Sequence, residues 1–98
     1  MAYSLPLSPQ LARARWKVKI FDKENREPPH VTIVRGTVKW RINLRSRKFM
    51  DRYPPPRDVP AEIIEAIFEN WDLLIAEWDR SYPNNPVAGD VSENHENI

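Results

Sequence analysis

The sequence predicts an α+β fold: a three-stranded, mostly antiparallel sheet, with room for a fourth strand, and one long C-terminal helix packed on one face. Three patterns carry this prediction. Residues 15–21 (RWKVKIF) alternate basic and apolar side chains, residues 30–44 (HVTIVRGTVKWRINL) alternate around a central Arg35-Gly36, and residues 60–80 hold an apolar stripe at helical spacing. A period of two marks a half-buried strand; a period near 3.6 marks an amphipathic helix.

In the first strand Trp16, Val18 and Ile20 share one face, and Arg15, Lys17 and Lys19 share the other. The loop DKENREPP (22–29) follows, and its prolines bias the backbone towards an extended path. Over 30–44 a two-residue turn at Arg35-Gly36 pairs Ile33 with Val38 and Val31 with Trp40, so both pairs join Ile42 and Leu44 on one face. Gly36 offers the positive φ that a tight turn requires. RSRKFMDRY (45–53) is basic and offers Lys48–Met50 as a short edge strand, and YPPPRDVP (53–60) reads as an extended connection.

The helix begins near Pro60, which is tolerated in a first turn, with Glu62 close to its positive end. Ile63, Ile67, Trp71, Leu74 and Trp78 form the buried stripe, widened by Ile64, Phe68 and Ile75, and Pro83 stops the helix. The expected organisation is an irregular segment at 1–13, a single domain at 14–82 and a disordered acidic tail at 83–98.

The chain has no cysteine, which excludes disulfides, thiolate metal sites and a cysteine nucleophile. The N-terminal residues lack the basic start and apolar run of a signal peptide, and no stretch approaches the ~20 apolar residues of a membrane span. A cytoplasmic location and no membrane contact are the expectation.

Charge is divided along the chain. Residues 13–52 carry thirteen Lys/Arg against four acids, a net of +9, and residues 53–98 carry two Arg against ten acids, a net of −8. On the wet sheet face, strand parity gathers Arg15, Lys17, Lys19, His30, Thr32, Lys39, Arg41 and Asn43. Clustered cations of this kind suit a polyanion such as RNA; the plain alternative is a solvated strand face. Trp16 and Trp40 point to the core, so this reading finds no stacking aromatic on the plate. A second charged face runs along the helix: Glu62, Glu65, Glu69, Asp72 and Asp79, opposite the apolar stripe and without basic residues at i+4. It suits a protein partner, or is simply a solvated helix face.

His30 is the one catalytic candidate. Thr32, Asn43 and Arg41 near it make no recognised catalytic pattern, and a partly buried strand histidine is the plainer reading. Glu24 and Glu27 are loop acids of the right type to be its hydrogen-bond partners. His30 and His95 are too far apart, without preorganised acids, to suggest a metal site, so no metal and no cofactor is expected.

EPPHVTIV (27–34), with WKVKIF (16–21) before it and TVKWRINL (37–44) and ENWDLLIAEWDRSY (69–82) after it, resembles a family of small bacterial proteins known only as a domain of unknown function. The family's pattern at this place is Pro-Pro-His-Val-His-Val; here the second His is Thr32. The resemblance spans roughly residues 14–82. It implies a compact α+β fold and a place in gene pairs resembling toxin–antitoxin modules, and it brings no catalytic residue with it. The expectation is therefore a non-catalytic binding component of such a pair, engaging a small protein partner and RNA through the basic sheet face. The alternatives are an RNA-cleaving toxin using His30, with Arg41 clamping phosphate, and a structural module that binds a protein through the acidic helix face.

Overall fold

The computed structural model describes residues 3–24 and 26–88. Four strands form one antiparallel sheet in the order β1-β2-β3-β4: β1 is Tyr3–Ser4, β2 Trp16–Ile20, β3 His30–Arg35 and β4 Val38–Asn43. Two helices, α2 (Ala61–Glu69) and α3 (Trp71–Ser81), cover one face, and a short helix α1 (Pro9–Arg13) links β1 to β2. The α+β class is as expected. The fourth strand, however, is added at the β2 edge by Tyr3–Ser4, within the segment expected to be irregular. Pro6 and Pro9 do not prevent this, because the strand has two residues and Pro9 opens the helix, where its missing N–H costs nothing. On the other edge Lys48–Met50 contributes a single bridge, Phe49 to Ile42.

α1 stops at Arg15, whose φ of 75° places it in the left-handed region, with its N–H bonded to the Ala12 carbonyl at 3.0 Å. Helix ends use this conformation routinely, usually with glycine. β3 and β4 meet at a turn centred on Gly36-Thr37, one residue later than the pattern suggested: Ile33 pairs with Trp40 and Val31 with Ile42. The predicted faces survive because this pairing differs from the expected one by two positions, and side chains alternate with a period of two. Gly36 is the turn residue with positive φ, at 63°. Its place as first central residue is where a type II′ turn needs glycine. Asn43 ends β4 by accepting the Arg45 and Ser46 amides at 2.7 and 3.0 Å.

The expected single helix is two. Asn70 separates them, with φ −111° and ψ 24°, while its side chain donates to the Ala66 carbonyl at 2.8 Å. Asparagine competes for the helix backbone in this way. The apolar stripe crosses the break in phase: Ile63, Ile67, Trp71, Leu74 and Trp78 are all buried against Val18, Ile20, Val31, Ile33, Trp40 and Ile42. Each fully buried large aliphatic side chain contributes about 1.5–3 kcal/mol. Trp40 also donates Nε1–H to the Pro55 carbonyl at 3.0 Å, pinning the proline-rich crossing to the sheet.

The segment after α3 continues the packed structure as far as it is described. Val87 is buried, Trp78 Nε1–H donates to the Asn85 carbonyl at 2.7 Å, and Arg45 donates to the Pro86 and Val87 carbonyls at 2.8 and 3.0 Å. Tail residues 89–98, including His95, lie outside the described residues. Among the described residues no helix is long and apolar enough to cross a membrane.

Candidate functional site

The sheet face away from the core is laid out in rows by the register. Lys17 and Lys39 flank Val34, and Lys19 and Arg41 flank Thr32. This is the basic plate, but one end of it is covered. The loop residues 22–24 and 26–29 fold over the ends of β2 and β3, so His30 is 0% exposed and Thr32 only 3%. Their expected place on an open face is therefore corrected. Strand parity assigned the side but could not report the loop that covers it.

The loop is held by residues from the end of the helical layer. The Tyr82 hydroxyl donates to the Phe21 carbonyl and accepts the Glu24 amide at 2.9 Å; Asn85 Nδ2 donates to the Glu27 carbonyl at 2.8 Å. Burial is the main reason the Tyr82 hydroxyl is held above its ordinary pKa; its bond with the Glu24 backbone opposes this, and nearby acids add to it.

Inside the cover, His30 donates Nδ1–H to the Pro28 carbonyl at 2.8 Å, which leaves Nε2 pointing at Glu24 Oε1 at 3.3 Å and Glu27 Oε1 at 3.8 Å. Neither Nε2 nor Glu24 Oε1 has a well-aligned hydrogen-bond partner. Its ring lies 5.5 Å from Trp78. The imidazole is held above its ordinary pKa. Burial, the largest single influence, pulls it down, but Glu24, the Pro28 carbonyl and the charge of Glu27 together outweigh burial.

Arg41 is committed to carboxylates. Its Nε and Nη2 grip Asp51 at 2.8 and 2.7 Å, and Nη1 donates to Glu27 at 2.9 Å. Bidentate pairing of this geometry is among the stronger polar contacts. It holds the Asp51 carboxyl below its ordinary value, first through the hydrogen bond and against the effect of burial. Arg41 is correspondingly raised, again first by Asp51. The role of open phosphate clamp considered for Arg41 is corrected by these contacts. A cavity of about 180 Å³ lies beside this cluster, lined by Phe21, Glu24, Thr32, Lys39, Arg41 and Asp51.

Beyond the cover the plate is open. Arg15, Lys17 and Lys39 are exposed and Lys19 is half-buried. The Lys19 and Lys39 ammonium groups sit 5.9 and 5.2 Å from the centre of the Phe21 ring. Phe21 is the aromatic that the sequence reading missed, although parity contained the signal, since Phe21 follows Lys17 and Lys19 at intervals of two. Asp51, Tyr82 and Asn85 were also missed; nothing local in the sequence links them to His30.

On the helices, Glu62, Glu65, Glu69 and Asp72 are exposed as expected. Asp79 is not part of that face: it is half-buried and accepts the Val87 amide at 2.8 Å, tying down the following segment. The exposed acids share the helix surface with two exposed apolar side chains, Phe68 and Leu73. Compared with known proteins, the chain matches no family model, no curated protein and no solved structure.

Proposed function

We propose that this chain is a non-catalytic binding module that takes single-stranded RNA on the open end of its sheet face, through Arg15, Lys17, Lys19 and Lys39 around Phe21. One observation carries the reading: two lysine ammonium groups gather on one aromatic ring, beside a third lysine in register with them. Cations that track phosphates, with an aromatic that accepts a base, are what strand-tolerant RNA binding uses. His30 is buried and Arg41 is paired with Asp51 and Glu27, so the supporting residues point to binding rather than cleavage.

A fluorescein-labelled oligouridine followed by anisotropy tests this. Affinity falls with salt at a slope of about −0.7 per phosphate contact. Lys17→Glu with Lys39→Glu abolishes binding, and Phe21→Leu weakens it by about 1–3 kcal/mol. Salt-independent binding, or a charge-reversed double variant that binds like wild type, would refute the reading.

A second surface favours a protein partner. Glu62, Glu65, Glu69 and Asp72 beside exposed Phe68 and Leu73 combine charge with apolar area, as interface patches do. A small basic partner, in the manner of a paired toxin–antitoxin-like module in the bacterial cytoplasm, fits this face. Reversing Glu65 and Glu69 to Lys abolishes that association and leaves RNA binding intact.

A further inference from the structure

Folding brings together what spacing along the chain did not reveal. Glu24, Glu27 and His30 each present one donor atom to a common point, all within 4.8 Å of one another. We infer that these three residues bind a first-row divalent metal ion, with Zn²⁺ the best match to the donors.

His30 gives Nδ1–H to the Pro28 carbonyl, so in the neutral ring Nε2 is an acceptor. It is fully buried and faces two carboxylate oxygens, which are also acceptors. Glu24 Oε1 is likewise buried without a hydrogen-bond donor. Orphaned buried acceptors facing one another are costly. A proton on Nε2 answers them as an ion pair; a metal ion placed between them satisfies both at once without it.

Distances agree. Ligands about 2.1 Å from a tetrahedral zinc lie about 3.4 Å apart; Nε2 is 3.3 Å from Glu24 Oε1 and 3.8 Å from Glu27 Oε1. The surroundings are those of a prepared site. Metal-binding histidines commonly give their other ring N–H to a backbone carbonyl, as His30 gives Nδ1–H to Pro28. Tyr82 and Asn85 hold the backbones of Glu24 and Glu27. Charge agrees as well. Arg41 bonds both Asp51 and Glu27 Oε1, but its single positive charge stands against the three carboxylates Glu24, Glu27 and Asp51, which leaves two negative charges for a divalent ion to neutralise. One imidazole with two carboxylates suits zinc and its neighbours over Mg²⁺ or Ca²⁺, which take all-oxygen shells. Three protein donors leave a position open to water or a ligand.

The test uses the full chain stripped with EDTA and titrated calorimetrically with ZnCl₂, with Co²⁺ absorption as a second readout of the donor set. One ion per chain binds, and it raises the melting temperature. Glu24→Gln and Glu27→Gln each keep the fold by circular dichroism, since the amide is isosteric. Each weakens binding at least tenfold, on the scale at which even outer-shell changes act. His95→Ala, a histidine outside the trio, leaves affinity unchanged. The proposal is overturned if the wild-type chain takes up no zinc, if the two glutamine variants bind as wild type does, or if binding disappears with His95→Ala.

Discussion

Tyr82→Phe removes one oxygen atom and should cost the protein about 2–3 kcal/mol. The hydroxyl donates to the Phe21 carbonyl and accepts the Glu24 amide, and Tyr82 is only 6% exposed, so water does not take its place. Two hydrogen bonds at about 1 kcal/mol each are lost, and a carbonyl and an amide are left partly buried without partners. The phenylalanine ring keeps the contact with Trp78, whose ring centre is 4.1 Å away, so packing changes little. Urea denaturation should show a lower midpoint with an unchanged slope, and the melting temperature should fall by about 10–20 °C. Amide exchange reports the same event locally, because the Glu24 N–H loses its acceptor. Tyr53→Phe is the control: Tyr53 is 80% exposed, and its change should stay within about 0.5 kcal/mol. A Tyr82→Phe variant that stays within that margin, with Glu24 exchange unaltered, would mean that this hydroxyl does not hold the loop.

Other perturbations follow from the same contacts. Asp51 has its pKa lowered in the fold, so the stability it supplies is complete above its ordinary value of 3.8 and is lost as pH falls through the folded value. Asp51→Asn should therefore flatten the acid limb of a stability–pH curve and lower stability at pH 7 by about 1 kcal/mol, the pair being partly exposed. Arg15→Gly relieves a left-handed backbone and should raise stability by up to about 1 kcal/mol in thermal melts, while weakening the proposed RNA binding. Trp71→Ala opens a cavity where a buried ring stacks on Phe68 at 5.1 Å and should cost about 3–5 kcal/mol, read by chemical denaturation.

Period and parity made the sheet and the apolar stripe legible. The faces of β3 and β4 are correct although the turn is one residue later than expected, because a two-position change in pairing preserves parity. The stripe is correct although the helix breaks, because Ile67 and Trp71 keep a spacing of four across Asn70. The break itself depends on a side-chain bond to Ala66 that periodicity does not report. All four cations of the open plate, Arg15, Lys17, Lys19 and Lys39, were legible from strand parity, and Phe21 among them was not. Glu24 and Glu27 were legible as partners of His30, but its cover was not: His30 is sealed because Tyr82 and Asn85 hold a loop 58 positions earlier in the chain. No local pattern encodes contacts of that range.

That separation has a consequence for synthesis. Chains elongate at about 5–20 residues per second, so Glu24 and Glu27 leave the ribosome about 3–12 s before the residues that anchor them, 58 positions later. Throughout that interval the loop lacks both backbone anchors and is tied to the sheet through Arg41 and Glu27, 14 positions apart, while His30 stays open to water. The sealed histidine, and with it the proposed metal site, then forms only after Tyr82 and Asn85 have emerged.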